Sequence, residues 1–162
     1  MIQQTLVLVK PDGVQRGLIG EVIKRFENRG LKIVGMKLIK ASKELGEKHY
    51  DPAVAERHGD AVRQKLISYV TESPVVALVI QGINAVPLIR KIVGSTYPGE
   101  ADLGTIRGDY AHTSKEYTRA MDQGKNLIHA SEDEEYAKRE ISFWFTKEEL
   151  FDYKLSHEDN IY

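Results

Sequence analysis

Six consecutive apolar residues, Val75-Val76-Ala77-Leu78-Val79-Ile80, directly behind Pro74, constrain the fold more than any other stretch of the chain. They fall far short of the roughly 20 residues of a membrane helix, and they read as a fully apolar strand inside a protein core. Around this run the chain alternates between two periods. Leu6-Val7-Leu8-Val9 is a β-rich run stopped by Lys10-Pro11-Asp12-Gly13, where Pro and Gly predict a turn that leaves Lys10 at the strand's end. From Gly17 to Arg29, Leu18, Ile19, Val22, Ile23 and Phe26 keep one helical face, and Gly30 supplies the stop. Leu31 to Ile39 reads as a second strand. Charged helical segments fill Lys43 to Glu72, the later one carrying Val62, Leu66, Tyr69 and Val70 on one side. After the apolar run, Val86, Ile89 and Val93 mark a helix closed by Gly94, with Arg90 and Lys91 on its exposed side.

The last third is less periodic. Tyr97 to Lys125 reads mostly as loop, with a short helix around Ser114 to Met121, and its length marks it as functional. Leu127-Ile128 is a brief fourth strand and Ser131 to Glu140 a helix. Ile141-Ser142-Phe143-Trp144-Phe145 reads as a further apolar strand, and Thr146 to Asp152 as a short helix capped by Thr146 with Glu149 at its third position. No internal repeat, low-complexity tract or linker interrupts the series. The order strand-helix-strand, twice over, predicts one α+β domain spanning residues 1–162: a ferredoxin-like split βαβ (βαββαβ) antiparallel sheet with helices packed on one face.

At 162 residues the chain is long enough for a substantial core. Twenty-three basic against 24 acidic residues leave a formal charge of −1, which argues against a polyanion-binding surface, so any phosphate site must be local. Without cysteine there is no disulfide framework and no thiol chemistry, which fits a reducing, cytoplasmic setting. Gln3, Gln4 and Lys10 hem in the first apolar run, so nothing there resembles an export signal.

The candidate chemistry lies in Asn126-Leu127-Ile128-His129-Ala130-Ser131. Ser131 followed by Glu134 has capping-box spacing, which predicts a helix starting at Ser131 with its free N–H groups turned toward His129, where they would favour an anion and a neutral imidazole. Glu140 is placed to return to the other ring nitrogen and fix the tautomer. His49, His58, His112 and His157 lack such context and read as ordinary surface or core histidines.

Taken in order, Lys10-Pro11-Asp12-Gly13-Val14-Gln15-Arg16-Gly17, Gly104-Thr105-Ile106-Arg107-Gly108-Asp109 and the Asn126–Ser131 stretch resemble the nucleoside diphosphate kinase family. The likeness covers nearly the whole chain, including His49-Tyr50, Ser73-Pro74-Val75-Val76, Arg90, Thr96 and the Glu140–Phe145 segment. It implies Mg²⁺-dependent transfer of the γ-phosphate from a nucleoside triphosphate, mainly ATP, to a nucleoside diphosphate through a phosphohistidine. It also implies a homo-oligomer, of which the hexamer fits this chain length better than the tetramer. Position by position, the resemblance makes His129 the phosphorylated histidine and Glu140 its orienting carboxylate. Lys10, Arg90, Thr96 and Arg107 become phosphate contacts, and Asn126 with Lys10 a contact to the sugar hydroxyls. Tyr50 and Ser131 lie beside the histidine and its carboxylate. No protein metal site is implied, since Mg²⁺ keeps its waters and prefers phosphate oxygens.

Those residue types suit the reaction on physical grounds. Phosphoryl transfer proceeds through a loose transition state with charge on peripheral oxygens, so positive charge and positioning do most of the work. Arg90 and Arg107 are expected to bind oxygens in bidentate fashion. Four departures from the family pattern stand out, the mildest being Glu132 in place of an aspartate after the serine. Val62 occupies the position where an aromatic ring commonly stacks on the base, with His58 as a possible substitute. The loop between Arg107 and Asn126 is longer than in many members, which bears on any base contact near Gln123. Ala130 replaces a glycine, which requires a negative φ there.

Two other classes fit poorly. An RNA-binding ferredoxin-like module needs exposed aromatics on its central strands, and Leu6–Val9 and Val75–Ile80 have none. A P-loop kinase needs GxxxxGK followed by Ser or Thr, which this chain lacks.

Overall fold

The computed structural model describes residues 1–120 and 125–160. A four-stranded antiparallel sheet in the order β2-β3-β1-β4 is built from β1 (Ile2–Val9), β2 (Lys32–Ile39), β3 (Val75–Ile83) and β4 (Ile128–Ala130). The helices are α1 (Pro11–Gln15), α2 (Ile19–Glu27), α3 (Lys43–His49), α4 (Pro52–His58), α5 (Asp60–Glu72), α6 (Ala85–Val93), α7 (Ile106–Tyr110), α8 (Lys115–Ala120) and α9 (Glu134–Trp144). This is the single-domain ferredoxin-like arrangement that the strand-helix order implies.

Helices cover both faces of the sheet, which corrects the one-face expectation. Val7 and Val9 of β1 with Val76, Leu78 and Ile80 of β3 meet Val22 and Phe26 of α2 and Ile89 and Val93 of α6. Their alternating neighbours Leu6, Leu8, Val75, Ala77 and Val79 meet Ile67 and Val70 of α5 and Ile141 and Trp144 of α9. A strand with no polar alternation needs apolar cover above and below, so Val75–Ile80 is apolar throughout because it is central.

Several boundaries also differ from the sequence reading. Lys10-Pro11-Asp12-Gly13 is not a turn but the opening of α1, with Lys10 as N-cap and Pro11 at the first helical position, where its missing N–H does no harm. Ile141 to Trp144 is not a strand but the last turn of α9. Ala137, Glu140, Ile141 and Trp144 recur at helical spacing and all face inward. Helix α9 starts at Glu134, where the Asp133 side chain accepts from the Tyr136 N–H, so Ser131 is not its cap. The capping box of Thr146 and Glu149 is present, but on a single 3₁₀ turn, Lys147–Glu149. The helix expected around Ser114 to Met121 forms as α8, and Met121 and Gln123 lie outside the described residues.

The segment after α9 runs back along β2. Phe151 N–H donates to the Val34 carbonyl at 2.8 Å, the Tyr153 hydroxyl to the Ile33 carbonyl at 2.8 Å, and the buried Lys32 ammonium pairs with Glu158 at 2.7 Å.

Candidate active site

The short strand β4 carries the nucleophile candidate into the middle of the molecule, and its approach is unusual. Leu127 has φ +69°, a left-handed conformation that disfavours a branched side chain and has to be held from outside. The start of α1 holds it. The Lys10 N–H donates to the Leu127 carbonyl at 2.8 Å, and the Leu127 N–H donates to Asp12 Oδ2 at 3.0 Å. Asp12 is fixed in turn by the Tyr69 hydroxyl, which donates to Oδ1 at 2.5 Å. Gly13 lies so close beneath that an added Cβ would sit 2.9 Å from the Leu127 oxygen. Ala130, by contrast, is in regular strand pairing with Val7, and its φ is not positive, as its replacement of glycine requires.

His129 pairs with Leu8 across the sheet, and its side chain keeps 20% exposure. Its Nε2 lies 3.0 Å from Glu140 Oε2, which fixes the proton on Nε2 and leaves the Nδ1 lone pair for chemistry. The buried Ser131 hydroxyl donates to the same carboxylate oxygen at 2.6 Å. Burial works against the Glu140 charge, but the charge and hydrogen bond of His129, then His49 and Ser131, outweigh it and bring the carboxyl down to about 2. The helix start expected at Ser131 is absent from this place, while Glu140 meets the ring from α9 as expected.

A cleft of about 650 Å³ opens over His129, and it is lined by Lys10, Tyr50, Val62, Arg90, Thr96, Arg107, Asn126 and Glu140 as well. Ser131, the tenth expected residue, lies beneath, behind the carboxylate. The Lys10 ammonium donates to Asn126 Oδ1 at 2.8 Å, and the Asn126 amide donates to the Thr96 carbonyl at 2.8 Å. Burial and the neighbouring Arg107 charge, opposed by Asp12, bring Lys10 down to about 8. Tyr50 is buried with its ring edge-on to His49, and burial and Glu140 push its phenol well above the ordinary range.

Arg107 departs from the bidentate phosphate contact expected of it. Its Nε donates to the Asn126 carbonyl, Nη1 to the carbonyls of Gly94 and Ser95, and Nη2 to that of Ile128 at 2.6 Å. Four of its five N–H bonds thus tie the end of α6 to both sides of Leu127, and burial, with Arg90 nearby, lowers its pKa to about 10. Arg90 is an exposed residue on the same cleft. Gly94, at φ +89°, closes α6, and a Cβ there would meet Thr105 Oγ1 at 2.5 Å.

One residue set aside on sequence grounds belongs here. His49 is fully buried, its ring 4.4 Å from that of His129 and its Nδ1 3.7 Å from Glu140 Oε1. The signal was available in its neighbour Tyr50, because a chain that brings one of the pair beside His129 brings the other close to it.

Comparisons with known proteins show the family of the chain. The family model described as nucleoside diphosphate kinase matches residues 3–150. The chain belongs to the nucleoside diphosphate kinase family. The nucleoside diphosphate kinase of Staphylococcus epidermidis is 47% identical over 161 residues, 99% of each chain, and that of Sulfurisphaera tokodaii 50% identical over 149 residues, 92% of each. Among solved structures, the nucleoside-diphosphate kinase of Borrelia burgdorferi, a transition state mimic with bound vanadate and ADP, superposes with a TM-score of 0.94 at 42% identity, covering 99% of this chain and 96% of that one. The enzyme of Halobacterium salinarum in complex with CDP gives 0.86 at 40% identity, covering 100% and 99%. The chain is thus a phosphotransferase of nucleotide metabolism that moves the γ-phosphate of a nucleoside triphosphate onto a nucleoside diphosphate.

For a nucleoside diphosphate kinase, the outer part of the cleft has its own character. Val62 is 40% exposed on its wall with His58, so α5 turns Ile67 and Val70 into the core and Val62 toward the cleft, while the half-buried Leu66 borders both. Thr118 of α8 lines the same cleft, so the long loop contributes to it directly. Among the described residues, no helix is long and apolar enough to cross a membrane.

Proposed function

We propose that His129 Nδ1 is the phosphoryl acceptor in a ping-pong exchange that maintains nucleoside and deoxynucleoside triphosphate pools, with ATP as the main donor. The Nδ1–P bond forms as the bond from the γ-phosphorus to the β,γ-bridging oxygen breaks, and the diphosphate leaves with the electron pair. A second diphosphate then attacks phosphorus and regenerates the imidazole. The observation that carries this reading is the 3.0 Å contact from Nε2 to Glu140, because it leaves Nδ1 unprotonated and sets a carboxylate against the positive charge that grows on the ring.

The remaining roles follow from position. Arg90 supplies a guanidinium for the transferring oxygens, while Arg107 offers its charge and one N–H and mainly holds the floor of the cleft. Thr96 and Tyr50 complete the phosphate wall, Lys10 and Asn126 present a joined donor pair to the sugar hydroxyls, and Val62 faces the base.

Mg²⁺ travels on the nucleotide in this reading. Among the described residues, His49, His129 and Glu140 are close enough together to hold an ion, but they are the nucleophile's own support and offer two nitrogens, whereas Mg²⁺ prefers oxygens. When bound, the ion neutralises and orients the phosphates.

Residues 1–162 act as one kinase domain, which the return of the C-terminal segment along β2 supports. A homo-oligomer, as a hexamer, is supported by the edge position of β2 with Met36 and Leu38 exposed. The lack of cysteine accords with the cytoplasm.

Incubation with γ-labelled ATP and Mg²⁺ is expected to leave acid-labile, alkali-stable label on the protein, and His129→Ala to abolish it. Intersecting initial-rate patterns, the mark of a ternary complex, would overturn the proposal.

A further inference from the structure

His49 is the one buried imidazole beside the nucleophile that the phosphoryl transfer itself does not use. It sits at the end of α3, and its ring is wedged between Trp144 of α9 and the rings of Tyr50 and His129. The Trp144 Nε1–H donates to His49 Nδ1 at 3.3 Å, and the same Nδ1 lies 3.7 Å from Glu140 Oε1.

The indole N–H is a donor only, and inside the core it must find an acceptor. The His49 lone pair is the acceptor it has, and the Glu140 carboxylate lies beyond it, 3.7 Å from the same nitrogen. The carboxylate is the stronger one, since hydrogen bonds to charged oxygens are roughly twice as strong as neutral ones. If the indole turned to Glu140, part of the carboxylate's charge would be spent on a neutral donor, and its Oε2 would be pulled from His129 and Ser131. If His49 were itself protonated, it would become a cation against Oε1 and neutralise the charge directly.

We propose that His49 is a positioning residue that takes the Trp144 N–H on Nδ1 and stays neutral, so that Glu140 is reserved for the His129 ring throughout the phosphoryl cycle. The inference rests on the assignment of Glu140 as partner of the nucleophile and deepens it. It explains why an imidazole and not a phenyl ring fills this place. A phenyl group would pack equally well but would accept nothing.

The groups facing His49 favour neutrality with one exception, the Glu140 carboxylate. Burial comes first, then the charges of His129 on β4, Lys10 at the end of β1 and Arg139 on α9. Against them stands Glu140 alone, and together they bring His49 down to about 3. Ring protonation is therefore disfavoured, and the indole N–H already occupies the Nδ1 lone pair.

Two measurements test this. In the full-length enzyme with ¹⁵N-labelled histidine, the His49 Nδ1 resonance is expected to be that of an unprotonated nitrogen, unchanged from about pH 5 to 9 and on phosphorylation of His129. A protonated or titrating Nδ1 overturns the proposal while leaving His129 as acceptor intact, since loss of phosphoenzyme in His129→Ala is read separately. In stopped-flow single turnovers, H49F is expected to slow phosphoenzyme formation about tenfold with the nucleotide Kd unchanged within about twofold. H49Q, whose amide oxygen can accept from the indole, is expected to recover most of that loss. Equal rates in H49F and wild type, or equal losses in H49F and H49Q, sink the idea. Should H49F fail to fold, the resonance measurement and H49Q alone decide.

Discussion

The two ends of the cleft are built on opposite plans. At the inner end, His129, Glu140, Ser131, Arg107 and Asn126 are tied to one another or to main-chain carbonyls, and the backbone that presents them is pinned at both sides of a left-handed residue. At the outer end Val62 and His58 stand exposed on helices. Electrostatic stabilisation of a loose phosphoryl transition state requires donors already in place, because reorganisation at the moment of transfer would raise the barrier. Recognition of the base adds only affinity common to all steps, so that end tolerates substitution. On the proposed assignment, the contrast teaches that this fold fixes the phosphoryl site and leaves the nucleoside end to replaceable surface groups.

Changes at the inner end are expected to dominate. E140Q keeps the shape but removes the charge that faces His129, and on the proposed mechanism a fall of about ten- to a hundredfold in kcat with KM nearly unchanged is expected by steady-state assay. A rise in KM at constant kcat would show that Glu140 serves binding and would blur the two ends.

A pH series probes the join between them. Lys10 loses its proton near 8 in the free protein against 10.5 unfolded, so kcat/KM for nucleoside diphosphate is expected to decline as pH rises through about 8, by up to about tenfold per pH unit. The stability sign is opposite. Between about 8 and 10.5 the unfolded chain still holds the proton that the folded chain has released, so this group's contribution to stability grows with pH in that window. Denaturant titrations at several pH values check it.

V62F, at the outer end, is expected to lower KM for all bases by about fivefold through stacking, with kcat unaltered. A gain confined to one base would mean that α8 or its neighbours already read the base. The smallest effect belongs to A130G: its strand geometry is met by either residue, so activity within about twofold of wild type is expected, with a stability loss of about 0.5–1 kcal/mol in a melt.

Much of this was legible in the chain. The alternation of apolar strands and amphipathic helices specified the sheet, and the Asn126–Ser131 and Gly104–Asp109 segments carried the site. What escaped had physical causes. The last turn of α9 passed for a strand because Ile141 to Phe145 is rich in β-formers, whereas the spacing of Ala137, Ile141 and Trp144 follows a helix. Ser131 passed for a cap because its spacing to Glu134 is correct, but Asp133 takes that place and frees the serine for Glu140. The commitment of Arg107 to main-chain carbonyls depends on where three separate segments meet, which no local pattern encodes. The same holds for His49, whose importance comes only from the side chains around it.

Leu127 has a consequence for anyone who would cut this protein in two. Its clamp comes from residues 10 and 12 and its cargo is residue 129, so the reactive ring is assembled from distant parts of the polypeptide. A pair of complementing fragments severed within β3–α6 would each be inert, and turnover on mixing would report directly that β1 had found β4 again, which makes the enzyme a ready-made sensor of its own reassembly.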